Sequence, residues 1–248
     1  MDVSSHSDVL IGTSGFVYKH WRRGVFYPEK LPQKQELEYF SQHFATVELN
    51  NPFYRLPPRE TFEKWRDRTP AEFLFAVKAS RYISHIKRLK DCAEPLERLM
   101  ESAGGLGNKL GPILFQFPPT WGLDIDRLRD FLTLLSRRQE FTFEFRNPGW
   151  FVEPVYDLLR QHGAALCLAV SPTAPDPPEI LTGRFTYVRM HAGSGRYGDF
   201  TEPELAKWQR KICRFRREGV KVYVYFNNDA HGCAIRDARR LIETLRLD

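Results

Sequence analysis

Eight short apolar segments recur along the chain, and a polar residue stands at or beside the carboxyl end of each. The clearest is FTFEFRNPGW, residues 141–150. Side chains on a strand alternate with period two, so Phe141, Phe143 and Phe145 share one face while Thr142, Glu144 and Arg146 share the other. Three aromatics on one side demand an apolar cover. A carboxylate and a guanidinium on the other demand each other or a ligand, because burying either alone is costly. Asn147-Pro148-Gly149 then stops the strand. The pattern repeats in TVELN at 46–50, with Glu48 and Asn50 opposite Val47 and Leu49, and in YVRMH at 187–191, with Arg189 and His191 opposite Val188 and Met190.

The remaining strand segments are 9–13, 73–78, 113–117, 165–170 and 221–226. Between them, helical spacing of apolar residues predicts helices over 33–43, 59–68, 92–103, 124–138, 152–162, 201–218 and 230–245. Thr201 with Glu204 predicts a capping box. NPFYRLPP at 51–58 reads as a proline-rich loop, and the stretch from Pro172 to Pro178 leaves room for only a short helix. Strands alternating with helices predict a parallel sheet with crossover connections. Eight such units in 248 residues match the size of a (β/α)8 barrel. The expected fold is therefore α/β, a single TIM-type barrel domain over 9–248 preceded by a flexible segment, 1–8. A doubly wound open sheet is the competing architecture, but its edge strands should be more polar than any segment here.

Composition narrows the class. Hydrophobic residues at 42% and charged residues at 27% describe a soluble globule, and no apolar run approaches the roughly 18 residues that a membrane helix requires. The start, MDVSSHSDVL, lacks both the basic and the apolar part of a signal peptide, so a cytoplasmic location without membrane contact is expected. Cys92, Cys167, Cys213 and Cys233 are far apart with no C-x-x-C pair, which favours reduced thiols over a zinc or redox motif. The net charge of +6 favours anionic partners of any kind, nucleic acid among them. The basic runs at 210–217 and 236–246 read as solvated helix faces. Oligomeric state is not encoded in any of these features.

In a barrel of this kind the inward positions at the carboxyl ends of the strands form the floor of the active site. Each strand supplies polar candidates there: Ser14, Glu48 with Asn50, Lys78, Gln116, Glu144 with Arg146, Ser171, Arg189 with His191, and Asn227, followed in the next loop by Asp229. Glu48, Glu144 and His191 are the candidate catalytic residues, suited to moving a proton. Ser14, Asn50, Tyr54, Lys78, Gln116, Arg146, Trp150, Arg189, Asn227 and Asp229 are the candidate substrate contacts. Lys78, Arg146 and Arg189 together would clamp a phosphate or carboxylate. The same charges read equally well as ion pairs that only neutralise one another. His191 with Glu48, Glu144 and Asp229 offers oxygen and nitrogen ligands for a divalent ion such as magnesium or manganese, but nearby cations oppose it and no ligand spacing marks a dedicated site, so a metal stays open as an alternative without being favoured.

Gly193-Ser194-Gly195-Arg196-Tyr197-Gly198 fits G-x-G-x-x-G, yet the next helix starts late and no acidic strand end follows, so no nucleotide cofactor is expected. After the seventh strand of a barrel such a loop serves as a phosphate cradle or as a mobile lid. Phe16, Tyr18, Trp21, Phe53, Tyr54, Trp121, Trp150 and Tyr197 lie in the same loops, either as stacking platforms for sugars or bases or as plugs over the barrel top. Three functional readings follow. The first is a hydrolase, lyase or isomerase acting by acid–base chemistry on a small anionic or carbohydrate-like substrate. The second is a nucleic-acid-binding or nucleic-acid-processing protein. The third is a metabolite-binding barrel without catalysis.

A set of short motifs in fixed order resembles the YecE-like family, known as domain of unknown function 72. They are Gly12-Thr13-Ser14-Gly15 with Trp21, Phe26-Tyr27-Pro28, Glu48-x-Asn50-x-x-Phe53-Tyr54, Phe75-x-x-Lys78, Gln116-x-Pro118-Pro119, Glu144-x-Arg146 with Trp150, Tyr187-x-Arg189-x-His191, and Tyr223-x-Tyr225-Phe226-Asn227-Asn228. They run from about residue 9 to 246. The resemblance implies a TIM-type barrel and no established reaction. One departure is Ala192, where the family usually has glycine directly after the histidine; here Gly193 follows instead.

Overall fold

The computed structural model describes residues 8–172 and 178–246. Its eight strands run parallel, hydrogen-bond in sequence order and close into a barrel. They are β1 (Val9–Ser14), β2 (Thr46–Leu49), β3 (Leu74–Lys78), β4 (Leu110–Gln116), β5 (Phe141–Glu144), β6 (Ala165–Val170), β7 (Phe185–Met190) and β8 (Lys221–Phe226). β8 pairs with β1, Ile11 standing opposite Val224, so no strand edge is left open and the doubly wound alternative is excluded. The helices are α1 (Glu36–Ser41), α2 (Asn51–Tyr54), α3 (Arg59–Asp67), α4 (Ala93–Ala103), α5 (Ile125–Thr133), α6 (Glu153–His162), α7 (Glu202–Arg217) and α8 (Cys233–Arg246). Among the described residues no helix is long and apolar enough to cross a membrane. The segment 1–8, apart from Asp8, lies outside the described residues, as does most of the stretch from Pro172 to Pro178.

Period-two alternation sorts the strand side chains into two apolar layers. Outward residues such as Phe75, Val77, Ile113, Phe115, Phe141, Phe143 and Phe145 pack with Phe131, Leu132, Trp208, Phe215 and Leu241 of the helices. Phe115 meets Phe131 edge-on at 5.0 Å between ring centres and Phe143 at 5.4 Å. Inward residues, among them Leu10, Leu74, Ala76, Leu114, Cys167, Tyr187, Tyr223 and Tyr225, fill the lumen. The lumen tyrosines find polar partners: Tyr223 donates to Glu140 at 2.6 Å, and the Tyr225 and Thr46 hydroxyls lie 2.7 Å apart. The barrel interior is thus packed core, and the polar strand tips rest on it as on a closed floor. Packing between β1 and β2 is tight enough that a Cβ at Gly12 would sit 2.0 Å from the Thr46 carbonyl oxygen.

Several helix bounds differ from the sequence expectation. Residues 33–35 form a separate 3-10 turn ahead of α1. α5 ends at Thr133 and does not run on to 138; the Thr133 hydroxyl donates back to the Asp130 carbonyl at 2.6 Å. α8 begins at Cys233 because His231 adopts a left-handed conformation, φ 54°, that interrupts the helical path. The proline-rich loop opens with the helical turn α2, which Pro52 favours because the first turn needs no N–H from it. The capping box of α7 forms, and Gly163 closes α6 at φ 66°.

Candidate functional site

One side chain organises the floor of the mouth. Arg189, inward-facing on β7, is 1% exposed and lies between Glu48 of β2 and Glu144 of β5, both fully buried. Its Nε donates to Glu48 Oε2 at 2.9 Å and its Nη2 to Glu48 Oε1 at 2.8 Å, a bidentate pair. Nη2 also donates to Ser14 Oγ at 3.1 Å. Nη1 donates to Glu144 Oε2 at 2.7 Å and to Gln116 Oε1 at 3.4 Å. A guanidinium has five N–H groups, and all five are engaged. Glu48 is equally saturated: besides Arg189 it accepts from the Ser14 hydroxyl and, at 2.7 Å, from the Tyr187 hydroxyl.

Above this layer sits a second, more open one. Arg146 Nε lies 2.5 Å from Glu144 Oε1, and its Nη2 lies 2.8 Å from His191 Nε2. His191 Nε2 is also 3.2 Å from Glu144 Oε1, and the Asn227 amide is 2.9 Å from His191 Nδ1. A guanidinium nitrogen can only donate, so Nε2 accepts from Arg146 and the ring proton belongs on Nδ1; Asn227 meets that proton with its amide oxygen turned into the place of Nδ2, which could only donate. Asn50 Nδ2 donates to Ser14 Oγ at 3.0 Å, while its buried Oδ1 has no donor. Lys78, at the tip of β3, places Nζ 4.0 Å from the centre of the Phe53 ring.

Burial works against both carboxylates, yet the charge and hydrogen bonds of Arg189 overcome it and hold Glu48 below the usual range. The same balance, with His191 and Arg146 added, holds Glu144 well below it. Burial draws Lys78 down, and Arg189 draws it further; Glu48 and Glu144 oppose only in part, leaving it at about 8. Burial also lowers His191 against the pull of Glu144, which keeps the imidazole neutral near pH 7. Two carboxylates therefore face two guanidiniums and one amine, and the mouth carries a surplus positive charge whenever Lys78 is protonated.

The structure brings Ser14, Glu48, Asn50, Gln116, Glu144, Arg146, Arg189, His191 and Asn227 into one hydrogen-bonded set, with Lys78 beside it. Several expectations need correction. Trp150 is no ligand contact: it is fully buried, stacks on Phe145 at 4.6 Å and donates from Nε1 to the Trp121 carbonyl at 2.9 Å. Arg189 cannot clamp an anion, since it has no N–H left to offer. Glu48 cannot serve a substrate as a base from beneath that guanidinium, with its oxygens already occupied. Asp229 stands on the rim, its Oδ2 3.5 Å from His20 Nε2. Tyr54 is exposed on α2, beside the opening.

The phosphate-cradle reading of the loop after β7 also fails. Ser194 N–H donates to Glu204 Oε1 and Tyr197 N–H to Asp199 Oδ1, each at 3.1 Å, so carboxylates already occupy the donors that a phosphate would need. The close approach that requires glycine falls at Gly193, where a Cβ would meet the Asp199 carbonyl oxygen at 2.4 Å, and Ala192 is tolerated beside it. Tyr187 also reaches the floor through its bond to Glu48, and the signal for it is its place two residues before Arg189 on the same strand face. Among the described residues no group of three or more His, Cys, Asp or Glu is placed to hold a metal ion.

A closed parallel barrel whose strand tips meet in a buried charge lattice defines a (β/α)8-barrel protein. The sequence matches the model of the family described as "Protein of unknown function DUF72" over residues 10–248, and the chain belongs to that family. It is 25% identical to UPF0759 protein YunF of Bacillus subtilis over 90% of each chain. The crystal structure of a DUF72 family protein from Thermotoga maritima matches with a TM-score of 0.85 and 30% identity, covering 96% of this chain and 99% of that one. A DUF72 family protein from Enterococcus faecalis shares the fold, with a TM-score of 0.82 and 19% identity over 97% of this chain and 96% of that one. The motif resemblance and the family match agree.

Proposed function

We propose that the carboxyl-end mouth is the active site of an enzyme, a hydrolase, lyase or isomerase, that moves a proton on a small hydroxylated anion such as a sugar phosphate or sugar acid. The observation that carries this reading is the surplus positive charge above the floor: Arg189 and Arg146 share the two buried carboxylates between them, and the Lys78 ammonium at the opening is left without an acid of its own. Arg146 and Lys78 hold the anion. The donorless Asn50 Oδ1 accepts from a substrate hydroxyl. His191, kept neutral, takes the proton once substrate displaces Arg146 from Nε2, and Glu144 steadies the imidazolium that results. Titration calorimetry with ribose 5-phosphate and gluconate tests the site. Arg146→Ala is expected to weaken binding about 10- to 100-fold, the worth of one charge-assisted hydrogen bond. Equal affinity in the variant, or no binding by the native chain, overturns the reading.

A second reading has its own observation. Val17, Tyr54, Tyr82, Ile86, Leu123 and Tyr197 are exposed, and all lie in the connections that follow the carboxyl ends of strands, at the mouth. Arg55, Arg81, Arg88 and Lys90 are exposed in the same loops. Aromatic and basic residues interleaved around a cleft suit a single-stranded nucleic acid, with bases stacked and phosphates neutralised. Fluorescence anisotropy with a labelled oligonucleotide should then show affinity falling steeply as salt rises, and a weaker complex for Tyr82→Ala and Arg81→Ala. Absence of binding at low salt removes this reading and leaves the first intact.

A further inference from the structure

We infer that Lys78 is a nucleophilic amine that condenses with the carbonyl carbon of an anionic aldehyde or ketone in the barrel mouth. This rests on the reading of the mouth as a small-anion site and names its substrate class more closely. The geometry points there because the floor has two acids and three cations. Arg189 takes Glu48 in a bidentate pair and one oxygen of Glu144, and Arg146 takes the other. Among the described residues the Lys78 amine is left with no hydrogen-bond or ion-pair partner, only the face of Phe53 beneath it. An amine desolvated by burial and set beside fixed guanidiniums is the arrangement that frees a lysine lone pair, and here it outweighs the attraction of the Phe53 face for the ammonium. A lysine meant only to hold an anion has no use for that desolvation, which disfavours its charged form.

The groups facing Lys78 all bear on its protonation. Arg189 and Arg146 disfavour the cation, Glu48 and Glu144 favour it, and His85 lies close enough to feel its charge. Burial leads this balance and the amine settles at about 8. At pH 8 about half of such a lysine is free amine, against less than about 1% of an ordinary one. In the reaction the Nζ lone pair forms a bond to the carbonyl carbon while the carbonyl π pair moves to oxygen, which takes up a proton. Nζ then releases one proton, its lone pair forms the C=N bond as the C–O bond breaks, the departing hydroxyl takes a second proton and leaves as water, and loss of the last N–H proton gives the imine. Arg146 would hold the carboxylate or phosphate of the same molecule, and the Asn50 Oδ1 its hydroxyl.

The test uses the full chain, glyoxylate and dihydroxyacetone phosphate as probes, and sodium cyanoborohydride, which delivers hydride to an imine carbon and fixes it as a secondary amine. Peptide mapping by mass spectrometry then locates the adducts. Lys78 should be modified at least about tenfold faster than surface lysines at pH 8, the gain in free amine being partly offset by the weaker nucleophilicity of a less basic nitrogen. The advantage should shrink as pH rises toward 10, where ordinary lysines also deprotonate. Arg146→Ala should reduce labelling at Lys78 alone, and Lys78→Met, checked for native circular dichroism, should lose that adduct and no other. Labels spread over the surface in proportion to exposure overturn the inference. If gluconate and ribose 5-phosphate still bind in an Arg146-dependent manner, the anion site survives that outcome; if they do not, both readings fall.

Discussion

Replacing Arg189 with methionine should lower stability by about 3–5 kcal/mol, because two fully buried carboxylates lose their shared counter-charge. For a chain of this size that shifts the thermal midpoint by roughly 6–20 °C. Urea denaturation of native and variant protein at pH 7 reads the difference directly. Part of the loss should return in the triple variant Arg189→Met, Glu48→Gln, Glu144→Gln, where no buried charge is left unmatched. The gap between native and Arg189→Met should also narrow in acid. Both carboxyls are held low in the native fold, so their contribution is complete above the ordinary carboxylate pKa, fades below it, and is lost as pH falls through the lowered native values. An Arg189→Met protein as stable as the native chain at pH 7 would mean that the lattice does not hold the floor together.

Trp150→Ala should cost about 3–5 kcal/mol as well, for a different reason: it empties a fully buried site between Phe145 and Trp121. It also leaves the Trp121 carbonyl without its indole donor. Anion affinity of the folded fraction, measured well below the midpoint, should be unchanged, since nothing in the mouth touches this indole. A variant with native stability and impaired binding would return Trp150 to the list of ligand contacts. Comparison with Arg146→Ala, which should spare stability and weaken binding, separates the two roles.

The barrel was legible because period two leaves an unambiguous record. Phe141, Phe143 and Phe145 had to face the helices once Glu144 faced inward, and the closed sheet bears this out. The polar tips could be located from the same alternation. Which tip bonds which could not, because the stagger of strands around a closed barrel decides whether β2 and β5 meet β7 across the lumen. Arg189 therefore looked like a free anion clamp when it is a saturated strut. Trp150 lies past its strand, where alternation no longer applies; its direction is set by the turn in which Asn147 Oδ1 accepts from Gly149 N–H. The loop after β7 misled for a related reason: glycine spacing records where the backbone comes close, and says nothing of Asp199 and Glu204 folding back onto its amides.

The charge lattice also bears on how the molecule comes into being. Its cation lies 141 residues after one of its acids and 45 after the other. A nascent chain that has extended only as far as β6 carries both acids with no partner from β7, so an early half-ring would have to keep them wet or protonated. Sealing the interior and cancelling its charge must then happen together, late, when the seventh strand docks. A barrel wired in this way does not divide into two self-sufficient halves, and a cut between β6 and β7 should yield fragments that acquire a native interior only in each other's company.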